Sequence, residues 1–171
     1  MAEVTIRRAR PGDLDFLVSL VTHEEVEPFL AAARASDREA LLAELERSDA
    51  EPEAFGRFVI EVGGQPAGLV GFERVNVRSR IAAVGGLAVH PDFRGRRVAD
   101  EAAALLISHL VFELDFHRLQ LEVYGFNERA MAHAERVGFT REGVKRKAYL
   151  RHGEWVDGVL FGLVREDLGA D

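Results

Sequence analysis

The residues with the clearest chemical potential stand together in Val89-His90-Pro91-Asp92-Phe93-Arg94-Gly95-Arg96-Arg97-Val98-Ala99, followed by the apolar run from Asp100 to Leu114. The run Ile81–Val89 before this stretch reads as a buried strand and the run after it as a helix, so the turn opens directly into a helix N-terminus. Unpaired backbone N–H groups point out of such an end, and the peptide dipoles add partial positive charge. Arg94, Arg96 and Arg97 around Gly95 complete a seat for an anion, with phosphate or pyrophosphate the best fit. A solvated basic turn capping an ordinary crossover is the plainer alternative.

Other chemistries are poorly supplied. There is no cysteine, which removes disulfides, thiolate metal sites and cysteine nucleophiles together and suits a cytoplasmic setting. His23, His90, His109, His117, His133 and His152 are scattered without metal-ligand spacing, so no metal is expected, and His90 before the basic turn reads as structural. The formal charge of −7 is unevenly placed, since residues 1–54 hold 13 acidic and 6 basic side chains while the remainder is neutral. An acidic lobe beside a basic loop argues against a nucleic-acid binder and fits an anionic ligand at one end with a cationic one at the other, unless the acidic face serves only solubility. No run approaches the ~18 apolar residues of a membrane span, and the N-terminus lacks a signal-peptide core.

The elements that must position the turn follow from periodicity. Thr5–Ala9 reads as a strand, and Pro11-Gly12-Asp13 opens a helix to about Thr22. Phe29–Arg34 reads as a short helical piece, and Ser36-Asp37-Arg38-Glu39 as a capping box with Ser36 at the cap of a helix to about Arg47. Phe55–Val62 and Ala67–Val77 form a hairpin at Gly63-Gly64-Gln65-Pro66, and the second strand returns through Arg78-Ser79-Arg80 into Ile81–Val89. Gly85-Gly86 in mid-strand marks a bulge or a close approach. A helix spans Arg97–Glu113, apolar nearly all round from Ala102 to Ile107, which suggests cover on more than one side. A strand His117–Tyr124, a helix Asn127–Val137 closed by Gly138, and strands Phe139–Lys147 and Val156–Val164 around His152-Gly153-Glu154 complete the chain. The fold class is α/β (α+β): one domain over residues 1–171, a mixed, mostly antiparallel sheet of about seven strands with one parallel pair and helices on both faces. Trp155 and Phe161 read as core or turn-packing residues.

Three pieces together, the glycine-bearing strand, the Arg-Gly-Arg-Arg-Val-Ala turn and Asn127-Glu128-Arg129-Ala130 ending in Gly138-Phe139, resemble the GNAT superfamily of acyl-CoA-dependent N-acyltransferases. The likeness runs from Val4 to about Leu168. Gly138-Phe139, Glu142-Gly143 and Asp157 before an apolar strand look most like the ribosomal-protein N-alpha-acetyltransferase branch. The resemblance implies that acetyl-CoA, as co-substrate, lies in a wedge between Ile81–Val89 and Arg118–Tyr124, which splay apart at the bulge. Its pantetheine arm would pair with backbone near Leu87, Ala88 and Val89. Its pyrophosphate would sit on the amides of Arg94, Gly95, Arg96, Arg97, Val98 and Ala99, and Asn127, also a good helix cap, would approach from the other strand. Two positions depart from the family pattern. Arg97 stands where the turn usually has its middle glycine, and is expected to point outward; Ala134 stands where many relatives carry a tyrosine acid.

The implied reaction is direct acetyl transfer to a primary amine, which needs a base for the ammonium proton and a donor for the thioester carbonyl. Ile81–Val89 holds no carboxylate, so Glu122 on the adjoining strand is the candidate base and Glu73 the reserve. Tyr124 and Tyr149, the only tyrosines, are the candidate acids. Glu24, Glu25 and Glu27 are candidates to meet a cationic acceptor, either a protein N-terminus or a small amine. A homodimer through the C-terminal strands is compatible with the sequence. A non-catalytic acyl-CoA-binding module is the competing class, motivated by Arg97 and Ala134; an interaction protein with a merely solvated turn is the third.

Overall fold

In the computed structural model, which describes residues 2–30 and 37–169, the apolar runs become one seven-stranded sheet. Its strands are β1 (Val4–Arg8), β2 (Phe55–Val62), β3 (Gln65–Asn76), β4 (Ile81–Val89), β5 (Arg118–Tyr124), β6 (Thr140–Arg151) and β7 (Glu154–Val164), in the spatial order β1-β2-β3-β4-β5-β7-β6. Every neighbouring pair is antiparallel except β4 and β5. The helices are α1 (Leu14–Val21), α2 (Arg38–Ala50), α3 (Val98–Ser108) and α4 (Glu128–Arg136). The mixed, mostly antiparallel sheet read from the sequence is therefore present.

Successive strand residues face opposite sides, and this alternation separates two apolar clusters. Phe58, Ile60, Phe72, Leu119 and Phe161 pack with Leu106 of α3 on one face. Val59, Leu69 and Ala88 pack with Leu17, Leu20 and Leu41 of α1 and α2 on the other. This second cluster draws nothing from β5, β6 or β7, so α1 and α2 leave that half of their face uncovered.

β4 and β5 pair only at Ile81↔Arg118, Ala82↔Leu119 and Ala83↔Gln120. Beyond Ala83 the parallel ladder stops. On its other edge β4 slips register against β3 between Leu69 and Gly71, opposite Gly86, whose φ of 66° is open to glycine at little cost. The twin glycines thus mark a true irregularity, and the strands part at that level.

Several boundaries differ from expectation for identifiable reasons. Asp37 caps α2 by accepting from Ala40 N at 2.8 Å, one residue later than the expected Ser36, which lies outside the described residues together with most of Phe29–Arg34. Phe29 itself ends a single 3₁₀ turn, Glu27–Phe29. The helix after the basic turn stays α-helical only to Ser108 and widens into a π turn over His109–Glu113. It is covered on one side, because Leu105 is exposed while Ala102 and Leu106 are buried. β6 runs to Arg151 rather than Lys147. Between Lys145 and Tyr149 it has four steps against two on β7, and this bulge, with Lys147 at φ 48°, breaks the alternation that sequence periodicity relies on. Trp155 is a correction too, since it is 62% exposed, while Phe161 is core.

Candidate active site

The basic turn is built from a backbone of mixed hand. His90 Nδ1 accepts from Asp92 N at 3.2 Å and starts the turn, Gly95 has φ 78°, and Arg97 has φ 58° and ψ 20° immediately before α3. Left-handed residues in a turn that opens a helix are the setting in which backbone N–H groups can form an anion nest. Position 97, where the resemblance leads to an expectation of glycine, is a left-handed residue that a side chain occupies at a cost. The Arg97 side chain is 77% exposed and its Nε lies 3.9 Å from Asp100 Oδ2, so it projects outward. Arg96 lies over the Phe93 ring. Arg94 donates to the Glu25 carbonyl at 3.0 Å and lies 3.6 Å from its carboxylate, which latches the turn to the loop after α1.

Across the cleft, Asp100 on α3 accepts from Arg136 Nε at 2.7 Å and lies 2.8 Å from His133 Nδ1, both on α4. The Arg136 guanidinium foremost, and His133 after it, lower the Asp100 carboxyl to about 2. Asn127 Oδ1 accepts from Ala130 N at 3.1 Å and caps α4. Ala134 is buried and offers the cleft only a methyl group.

The acid–base candidates meet on the face of β5-β7-β6 turned away from α3, which among the described residues α1 and α2 do not reach. Tyr149 Oη donates to Glu122 Oε2 at 2.5 Å, and Lys145 Nζ lies 3.2 Å from Glu122 Oε1. Glu122 on β5 reaches these β6 residues across β7, a span of about 10 Å at normal strand spacing. That reach requires an empty position on the middle strand. A Cβ at Gly158 would lie 2.5 Å from Glu122 Oε1 and 2.7 Å from Tyr149 Cε2. Gly162 opens the same trough for Arg118 and Glu142, which are ion-paired across it. The hydrogen bond to Glu122 pushes the Tyr149 phenol above its ordinary value, so it stays a proton donor; the same carboxylate raises Lys145. Tyr124 is buried, its ring stacked on Phe126 and edge-on to Tyr149. The reserve candidate Glu73 stands apart, paired with Arg47 at 3.0 Å. Of the acidic loop residues, Glu25 meets Arg94 and Glu27 meets Arg151 and His152, whereas Glu24 is exposed. Lys145, Gly158 and the Asp100–His133–Arg136 group were absent from the sequence reading. Only Gly158 carried a signal, as one of two glycines, with Gly162, inside the apolar strand β7, the same mark as Gly85-Gly86.

A cleft of about 1230 Å³ joins these parts, lined by β4 from Ala83 to Val89, the turn with Arg94, Gly95 and Arg97, and the Glu122–Tyr149 pair. A second cavity of about 570 Å³ shares Glu25, Phe29, Arg94, Asn127 and Arg129 with it and adds Glu24, Phe126 and Glu128. A largely apolar cleft lined by the basic turn and by β4 backbone left unpaired towards β5 beyond Ala83 fits an acyl-CoA. Among the described residues no three His, Cys, Asp or Glu side chains converge as a metal site, and no helix is long and apolar enough to cross a membrane.

The family described as "Acetyltransferase (GNAT) domain" matches residues 3–140. The chain belongs to the GNAT acetyltransferase family. Among its GNAT relatives are the SPbeta prophage-derived uncharacterized N-acetyltransferase YokL of Bacillus subtilis, 33% identical over 47% of this chain and 46% of that protein, and the spermidine N(1)-acetyltransferase of Escherichia coli, 30% identical over 58% and 53%. The chain thus spans about half the length of these curated relatives. The dodecameric spermidine N-acetyltransferase of Vibrio cholerae superposes with a TM-score of 0.80 at 22% identity, covering 96% of this chain and 95% of that one, and shares the GNAT fold.

Proposed function

We propose that this GNAT protein is an N-acetyltransferase that moves an acetyl group from acetyl-CoA directly to a primary amine. The observation that carries this reading is the juxtaposition, in one cleft, of the splayed β4–β5 pair and its amide nest with Glu122 held by Tyr149. The amides from Arg94 to Ala99 would hold the pyrophosphate, and β4 backbone near Leu87, Ala88 and Val89 the pantetheine arm. Acetyl-CoA supplies the activated acyl group. Glu122 takes the proton that the acceptor ammonium must lose, directly or through water. Tyr149, kept protonated by its bond to Glu122, is the donor nearest to hand, whereas the buried Tyr124 supports its ring. The acceptor enters along the second cavity, where Glu24, Glu25 and Glu128 outnumber Arg94 and Arg129 and so suit a cation. A protein N-terminus or a polyamine, the substrate named for two relatives, both meet that description. On this reading the enzyme works in the cytoplasm and associates with a second copy.

Calorimetric titration with CoA, followed by thiol release from acetyl-CoA over a panel of amines, tests the reading. Binding with amine-dependent release supports it. The methyl group of Ala134 in place of a tyrosine favours one second reading, an acyl-CoA-binding module without catalysis, for which CoA binds and no amine releases thiol.

A further inference from the structure

One amine already stands against the candidate base. The chain contains 22 Lys and Arg residues, and only Lys145 and Lys147 are lysines. Lys145 occupies the position on β6 from which Nζ reaches Glu122 Oε1 at 3.2 Å, and its side chain lines the cleft while remaining half exposed. If an ion pair with Glu122 were the whole requirement, arginine would meet it more firmly, as Arg118 does for Glu142 across the same trough. The two basic types differ in a way that matters in an acyl-transfer cleft: an ε-ammonium can lose its proton and become a nucleophile, whereas a guanidinium stays charged.

We propose that Lys145 is itself an acetyl acceptor, so that the protein acetylates its own Lys145 from acetyl-CoA when no external amine fills the cleft. The inference rests on the proposed function. The ammonium of Lys145 gives one proton to Glu122, and the neutral Nζ attacks the thioester carbonyl. A C–N bond forms and the C–S bond breaks. The second amine proton leaves with the sulfur as CoA thiol, and Glu122 passes its own to solvent, leaving a neutral amide on residue 145. Acetylation removes the positive partner of Glu122 and leaves its hydrogen bond from Tyr149 in place. Lys147, two residues on, is an internal control: it lies in the same bulge and its side chain is exposed, while its backbone N donates to Asp157 Oδ1 at 2.8 Å.

The experiment is incubation of the full chain with acetyl-CoA alone, with intact-mass and peptide mass spectrometry over time. The expected result is one added acetyl group per chain, mapped to Lys145, at a rate per molecule independent of protein concentration. K145R eliminates the adduct and K147R retains it. E122Q slows incorporation by about 100-fold, the scale of losing a positioned base. Calorimetry with CoA is run in parallel on each variant. CoA binding without an adduct at residue 145, or an equal adduct at Lys147, overturns the self-acetylation while leaving the CoA seat intact. Absence of CoA binding removes both.

Discussion

At the scale of single residues, the carboxylate and the turn arginine have separable consequences. Glu122 touches Tyr149 and Lys145 but none of the nest, so its role is tested apart from CoA binding. In E122Q, kcat falls by about 100-fold and its rise with pH flattens, because the amide cannot take up the acceptor's proton, while calorimetric CoA affinity stays within about twofold. Unchanged turnover removes Glu122 from the mechanism. Arg97 holds a left-handed conformation with its side chain in solvent, so R97G relieves backbone strain and loses only the 3.9 Å approach to Asp100. The expected gain is about 1 kcal/mol, a rise of roughly 2–4 °C in Tm by scanning calorimetry, with CoA affinity retained or improved. A lower Tm contradicts the strain argument. Residue types alone brought the basic turn and Glu122 forward as candidates in the sequence, and the structure sets both on one cleft. The partners of Glu122 were not legible, because Lys145 and Tyr149 approach it only across a third strand, and nothing in local periodicity reports a contact two strands away.

At the scale of elements, the site depends on what β7 lacks and on how α3 and α4 are tied. Gly158 leaves the gap through which Glu122 crosses to β6, and a methyl group there meets Glu122 Oε1 at 2.5 Å. G158A is therefore expected to lower kcat at least tenfold and to cost about 1–3 kcal/mol of stability by overpacking, read by denaturant unfolding, while CoA binding at the distant turn persists. Normal turnover in G158A would show that the carboxylate works from another position. The α3–α4 tie has a pH signature. The folded-state value of Asp100, about 2, lies below the unfolded 3.8, so its contribution is fully present above pH 4 and is lost as pH falls towards 2. D100N should accordingly unfold less steeply across that window and be less stable at neutral pH; parallel acid titrations of the two proteins, followed by circular dichroism, check it. The order of strands and helices was legible because amphipathic periods mark each one. The bulge between Lys145 and Tyr149 in β6 and the π turn after α3 were not, since each inserts residues that reset the period without a glycine or proline to announce it.

At the scale of the whole molecule, charge and edges divide the protein into two ends. The acidic excess of residues 1–54 resides in α1, α2 and the connections around them, whereas β6 at one edge of the sheet carries Arg141, Lys145, Arg146, Lys147 and Arg151. This separation was visible in the sequence as a count, but its direction across the sheet required the strand order. A twelve-residue edge strand is a liability for uncontrolled pairing, and the cationic run with its bulge at Lys147 interrupts a continuous ladder there. The tip of the β6–β7 hairpin is different. Leu150 and Trp155 face one another in register, 55% and 62% exposed, with no charge between them. An association of two copies is therefore expected to use the tip through side-chain contact rather than strand addition. Light scattering should show a dimer for the native chain, and W155E should weaken it by about 30-fold or more, the scale of a central aromatic contact of about 2 kcal/mol. Because Trp155 is exposed within one copy, the melting temperature of W155E under dilute, monomeric conditions should match the native chain. A native chain that remains monomeric at high concentration, or a W155E dimer of unchanged affinity, excludes this tip as the contact.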